Sequence, residues 1–196
     1  MVTSLNQQII KDRLIYRKVT IAPLVTFRVL FGLLMFLSTV RFWSKGWIYD
    51  LYVAPQVFFP FIPGLKPLSE TGMYLIFAGL LVTSLAITLG LAYRVSTTLF
   101  FLLFTYVELL DKTNYLNHYY FVSLISFLMC WLPAHRDFSL DIKYGWTKPL
   151  HQVPIGLINV LRFQMGVLYF FAGLAKMNST WLLEAQPLKM WLSSNV

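Results

Sequence analysis

Long apolar runs with few charges alternate with short polar stretches along this chain, and the runs approach the roughly 20 residues that a helix needs to cross a bilayer. The first, residues 23–43, opens on Pro23, at the start of a helix where the missing N–H costs nothing, and places Arg28 and Arg41 near its two ends, where they can snorkel. Residues 44–70 hold Pro55, Pro60, Pro63 and Pro67 among aromatic side chains. That mix is too broken for a spanning helix and predicts a re-entrant or interface-lying segment. Residues 71–91 carry no charge, and Ala86 and Gly90 stand four apart, a spacing that lets a neighbouring helix approach closely. The turn at Tyr93 and Arg94 leaves room only for an antiparallel hairpin, so the next span, 95–110, must lie beside the previous one. After the polar stretch 111–118 come a fourth span, 119–134, and a fifth, 155–175, on which Gly166 and Gly173 read as a packing face. The prolines fall outside these helix interiors.

Composition turns this pattern into a fold class. With 58% hydrophobic and 12% charged residues, the chain carries roughly half the charge of a soluble domain. The expectation is an all-α, polytopic membrane bundle of about five helices in a single domain, residues 1–196, preceded by a basic cytoplasmic segment, 1–22, that is not a cleaved signal peptide. The net charge of +8 is scattered over loops rather than gathered into a stripe, which argues for membrane anchoring and against nucleic acid. Lys/Arg counting gives eight on the side of the N-terminus against six on the other. Together with the dense basic start (Lys11, Arg13, Arg17, Lys18), this puts the N-terminus in the cytoplasm and residues 111–118 on the outer face. Cys130 has no partner in the chain and reads as a packing residue.

The chemically dense stretch is 108–118, where Glu108, Asp111, Lys112, Asn114, Asn117 and His118 crowd between two apolar helices at a bilayer edge. Charges so close to hydrocarbon cost about 2–3 kcal/mol each unless paired or wetted, so the stretch is either a polar pocket or a hydrated turn. A lysine held against apolar helices loses its charge more readily and can then act as a general base, while Asp111 beside it pushes the other way. His118, His135 and His151 sit in separate loops without metal-ligand spacing, so no metal is expected.

Several blocks then carry a resemblance: Leu89-Gly90-Leu91-Ala92-Tyr93-Arg94, Asp111-Lys112-Thr113 with Asn117-His118, His135 and Ser139-Leu140-Asp141, Leu161-Arg162-Phe163-Gln164, and Tyr169-Phe170-Phe171-Ala172-Gly173-Leu174-Ala175-Lys176. In this order they resemble the vitamin K-dependent gamma-carboxylases and their bacterial relatives, the HTTM proteins. Tyr115-Leu116 stands where the animal enzymes have Trp-Asn. The resemblance implies an enzyme, a carbon–carbon lyase of a bacterial inner membrane. Its cofactor would be reduced vitamin K (menaquinol or phylloquinol), with O2 and CO2 as co-substrates. A lysine matching Lys112 would deprotonate the hydroquinone for reaction with O2. The strong base so formed would take a γ proton from peptidyl glutamate, which CO2 then carboxylates as the epoxide leaves. Asn117, His118, His135, Tyr93 and Arg94 would hold the quinone or substrate. The expected partners are the lipid bilayer, a quinone, and a peptide substrate or companion chain. Family carboxylases run several hundred residues longer, with a large water-side domain. The expectation therefore divides among a truncated form, a companion chain that supplies the rest, and a core kept for other work, including a non-catalytic module that binds a quinone or a partner helix.

Overall fold

The computed structural model describes residues 12–182 and 185–193; residues 1–11 of the basic N-terminal segment, Lys11 among them, lie outside the described residues. The chain is mostly helical. It divides into two units, one ending at Ile158 and one beginning at Asn159. The first unit holds α1 (Ala22–Ser44), α2 (Trp47–Tyr52), α3 (Glu70–Leu89), α4 (Tyr93–Leu109), α5 (Asn117–Trp131) and the short α6 (Leu140–Lys143). A seventh helix, α7 (Ile155–Ala175), starts there and runs into the second unit, which continues with α8 (Ser179–Leu182) and α9 (Gln186–Ser193).

The helices match the apolar runs to within a few residues, because a run that is apolar all round satisfies both lipid and neighbouring helices. α1, α3 and α7 are long and apolar enough to cross a membrane. α4 and α5, with 17 and 15 residues, are about 25 and 22 Å long, short of the roughly 30 Å of a hydrocarbon core. α1 packs on α3, α3 on α4 and α4 on α5, as the tight hairpin requires. Gly32 of α1 lies close against α3: a Cβ there would run into Thr88 and Ser84.

Ser69 starts α3 by accepting a hydrogen bond from Gly72 N at 3.3 Å, and Gly90, at φ +64°, ends it. Gly90 is thus a cap, and it is also a close-packed position, since a Cβ there would run into the Arg28 guanidinium of α1. Gly166 and Gly173, expected to pack, face open space in the described chain. The proline-rich segment 53–69 has no regular structure, but α2 before it seats Tyr52 and Trp47 on the core, where Phe42 stacks on Phe77 with centroids 5.1 Å apart.

Two features were not foreseen. Lys18–Thr20 (β1) pairs antiparallel with Gln152–Pro154 (β2), with Val19 opposite Val153, and ties the chain before α1 to the chain before α7. Arg28, expected to snorkel to water, is 0% exposed and turned into the bundle. Its Nη2 donates to Phe138 O at 2.6 Å, while Nε and Nη1 are buried without a hydrogen-bond partner.

Candidate functional site

The residues proposed from sequence as one site fall at two ends of the first unit. Tyr93 and Arg94 begin α4, whereas Lys112 follows its end. His118 begins α5, whereas His135 follows its end, so roughly 20–25 Å of helix separates each pair. Counting helix lengths along the chain was the signal for this separation.

At the first end, Asp141 caps α4. Its carboxylate accepts from Ala92 N at 2.6 Å and Tyr93 N at 3.1 Å. Tyr93 is fully buried, donates its hydroxyl to Met129 O at 2.9 Å, and stacks on His135 with centroids 4.8 Å apart. Arg94 Nη1 donates to Cys130 O. These are bonds between helices and loops, and they make Tyr93, Arg94 and His135 pieces of a structural joint. His151, at the same end, lies 3.8 Å from Asp137.

At the other end, residues 59–61 run beside the start of the polar stretch. Phe61 N donates to Leu109 O at 3.0 Å and Lys112 N to Phe59 O at 2.8 Å. Asp111 is buried, and its Oδ1 accepts from Thr113 N at 2.9 Å, which shapes a one-turn 3-10 helix over Lys112–Asn114. The Lys112 amine is not enclosed by apolar helices: it is exposed and stands 5.6 Å from the centre of the Phe61 ring. A cavity of about 570 Å³ opens here, lined by Arg41, Trp47, Tyr52, Thr113, Asn114 and His118. Burial holds the Tyr52 phenol above its usual range, so it faces this cavity protonated. Lys112 and Asn117 lie outside its lining, and Asn117 is exposed.

A second cavity, about 430 Å³ and almost wholly apolar, sits between α4 and α5 at the same end. Phe61 lines it, so the Lys112 amine stands one ring away. Thr105, Glu108 and Ser123 also line it. Sequence reading singled out Glu108 but neither hydroxyl, because a Ser or Thr inside an apolar helix is ordinarily paired with its own backbone.

The HTTM domain family model matches residues 16–196, nearly the whole chain. The chain belongs to the HTTM-domain family. HTTM domains are found in the vitamin K-dependent gamma-carboxylase family, and the three long apolar helices make this one a membrane protein. No solved structure matches the chain.

In this HTTM domain the His135 imidazole is pushed down to about 4, mainly by burial and secondarily by Arg94. The unfolded chain takes up a proton near the ordinary value of 6.5 while the folded protein does not. Stability contributed by the neutral ring is therefore full above about pH 6.5 and is lost as pH falls towards 4. Melting curves across that window are expected to slope downward for the wild type. They should flatten for His135→Phe, which keeps the stack on Tyr93 and removes the titration.

Proposed function

We propose that this HTTM domain handles reduced vitamin K in a gamma-carboxylase-like enzyme, binding the quinol at the Lys112 end. One observation carries the reading: a polar and an apolar cavity open at the same end of the unit, with Lys112 between Thr113, which lines the first, and Phe61, which lines the second. An amphiphile with an aromatic head suits the apolar cavity, and a peptide carboxylate suits the polar one, where Arg41 supplies a cation and His118 and Asn114 supply polar contacts. Reduced vitamin K, when bound, supplies the reaction with O2 that yields a base strong enough for the γ proton of glutamate. For its part, the chain orients the ring, and the resemblance assigns the hydroquinone proton to Lys112 Nζ in its unprotonated form, which the ring reaches only where Phe61 gives way. We place this end on the outer face of a bacterial inner membrane, with the N-terminus in the cytoplasm.

Membranes that contain the full-length protein, supplied with reduced vitamin K and oxygen, are expected to form the epoxide, and Lys112→Ala should slow it by about 100-fold or more. Lys176→Ala is the companion arm, because Lys176 ends the other lysine-bearing block of the resemblance. A loss confined to that variant would refute Lys112 as the base. The exposure of Lys112 favours a second reading, a module that binds the quinol without turning it over. Saturable binding with no epoxide from the wild type would establish it.

A further inference from the structure

We propose that a groove at the end of the first unit opposite Lys112 binds one anionic phospholipid, its acyl chain against the helices and its phosphate beside Lys143. Val29 of α1 and Thr88 and Leu89 of α3 line the groove together with Phe138, Ile142 and Lys143 of the chain that folds back beneath them. The wall is mostly apolar, and the volume of about 500 Å³ lies in the range that holds an organic ligand. Both α1 and α3 are long and apolar enough to cross a membrane, so a groove near the start of one and the end of the other opens where hydrocarbon gives way to head groups. Tyr144 and Trp146 mark the same level. They are 56% and 64% exposed with ring centroids 5.6 Å apart, and such amphipathic rings collect at the membrane–water boundary.

Phe138 shows that the groove is built for an occupant. Its backbone is held at φ +44°, a region that a bulky residue rarely adopts, and the enclosed Arg28 secures it there by donating to its carbonyl. That carbonyl is bound to the bundle while the ring, 79% exposed, stands at the groove. In water such a ring costs hydrophobic free energy in addition to the backbone strain; against an acyl chain it is covered.

Charge identifies the head group. Lys143 is exposed at the groove, Lys148 precedes the lining residue Pro149, and Arg136 precedes the lining residue Asp137. Arg136 Nε donates to Lys148 O at 3.1 Å, which holds these two stretches together. Against the three cations stand two acids. Asp141 is buried and committed to the start of α4, while Asp137 accepts from Phe138 N and lies 3.8 Å from His151. The exposed balance is positive, so a phosphodiester without an ammonium of its own fits better than a zwitterionic one, and a glycerol head group offers hydroxyls to Asp137. A second copy of the chain, seated here through a two-fold axis, would instead bring the same cations together.

The test is native mass spectrometry of the delipidated full chain in detergent, titrated with dioleoylphosphatidylglycerol and with dioleoylphosphatidylcholine, which carries the same acyl chains. One phosphatidylglycerol is expected to bind about tenfold more tightly than phosphatidylcholine. Lys143→Gln, a change at an exposed side chain, should weaken phosphatidylglycerol about fivefold, the effect of one cation beside a charged head group, and leave phosphatidylcholine unchanged. Phe138→Gly should weaken both lipids alike, while the melting temperature without lipid holds or rises because glycine accepts φ +44°. Equal affinity of the wild type for the two lipids would overturn the site, since that is the behaviour of an ordinary boundary layer, and so would unchanged binding in both variants. Lys66 lies at the other end of the unit, where its carbonyl accepts from Tyr106. A loss in Lys66→Gln equal to that in Lys143→Gln would trace the preference to net charge and refute the groove. A wild-type dimer that Phe138→Gly dissociates would give the groove to a second copy and refute the lipid.

Discussion

Gly90→Ala is expected to cost a large part of the protein's stability. Gly90 sits at φ +64°, where a side chain costs about 1–2 kcal/mol, and a Cβ there would run into Arg28 Nη1 and the Ser139 side chain. Arg28 cannot simply give way, because it is fully enclosed and its Nη2 is tied to Phe138 O. Overpacking of this kind adds about 1–3 kcal/mol, so the total is about 2–5 kcal/mol, a large part of what a domain has. Gly145→Ala is the control. It has φ +74° with nothing within 4 Å, and only the backbone strain should appear. Denaturant titration in detergent of Gly90→Ala, Arg28→Ala and the double variant measures the coupling. Partial rescue in the double is expected, and strict additivity would mean that the clash with Arg28 is not the cause.

The second large effect is Asp141→Ala, expected to cost about 3–5 kcal/mol. The carboxylate closes the start of α4 through two backbone N–H groups, and it is one of the two acidic side chains, with Asp137, that attract the enclosed Arg28 guanidinium. Removing it leaves two orphaned donors and a buried cation with less compensation. Asp141→Asn keeps one accepting oxygen and should fall between wild type and alanine. Both substitutions lie at the end of the unit opposite Lys112. Loss of epoxide formation in a variant that still melts at the wild-type temperature would therefore contradict the assignment of this end as a structural joint.

Much of the architecture is legible in the one-dimensional pattern. The limits of α1, α3, α4, α5 and α7 follow from apolar runs with few charges and with prolines outside their interiors, because a helix that faces lipid or other helices must be apolar on nearly every side. The neighbouring of α3 and α4 follows from a turn too short for anything else. The family follows from motif blocks spread over the chain, which the match over residues 16–196 bears out.

Other features depend on the chain meeting itself. The three-residue strands β1 and β2 are too short to show a period, and only their pairing across more than a hundred residues makes them strands. Arg28 reads as a snorkelling cation until its face of α1 is known to point at Phe138 and Gly90. His118 and His135 read as one site until the helix between them is given its length. Lys112 reads as a desolvated amine until it is seen exposed over Phe61. Sequence by itself determined which segments enter the bilayer environment and which family they belong to, since hydrophobicity and local motifs are properties of neighbours along the chain. Tertiary structure alone decided which polar atoms are enclosed and unpaired, since burial and hydrogen bonding are properties of neighbours in space, and for Thr105, Glu108 and Ser123 those neighbours come from two different helices around one cavity.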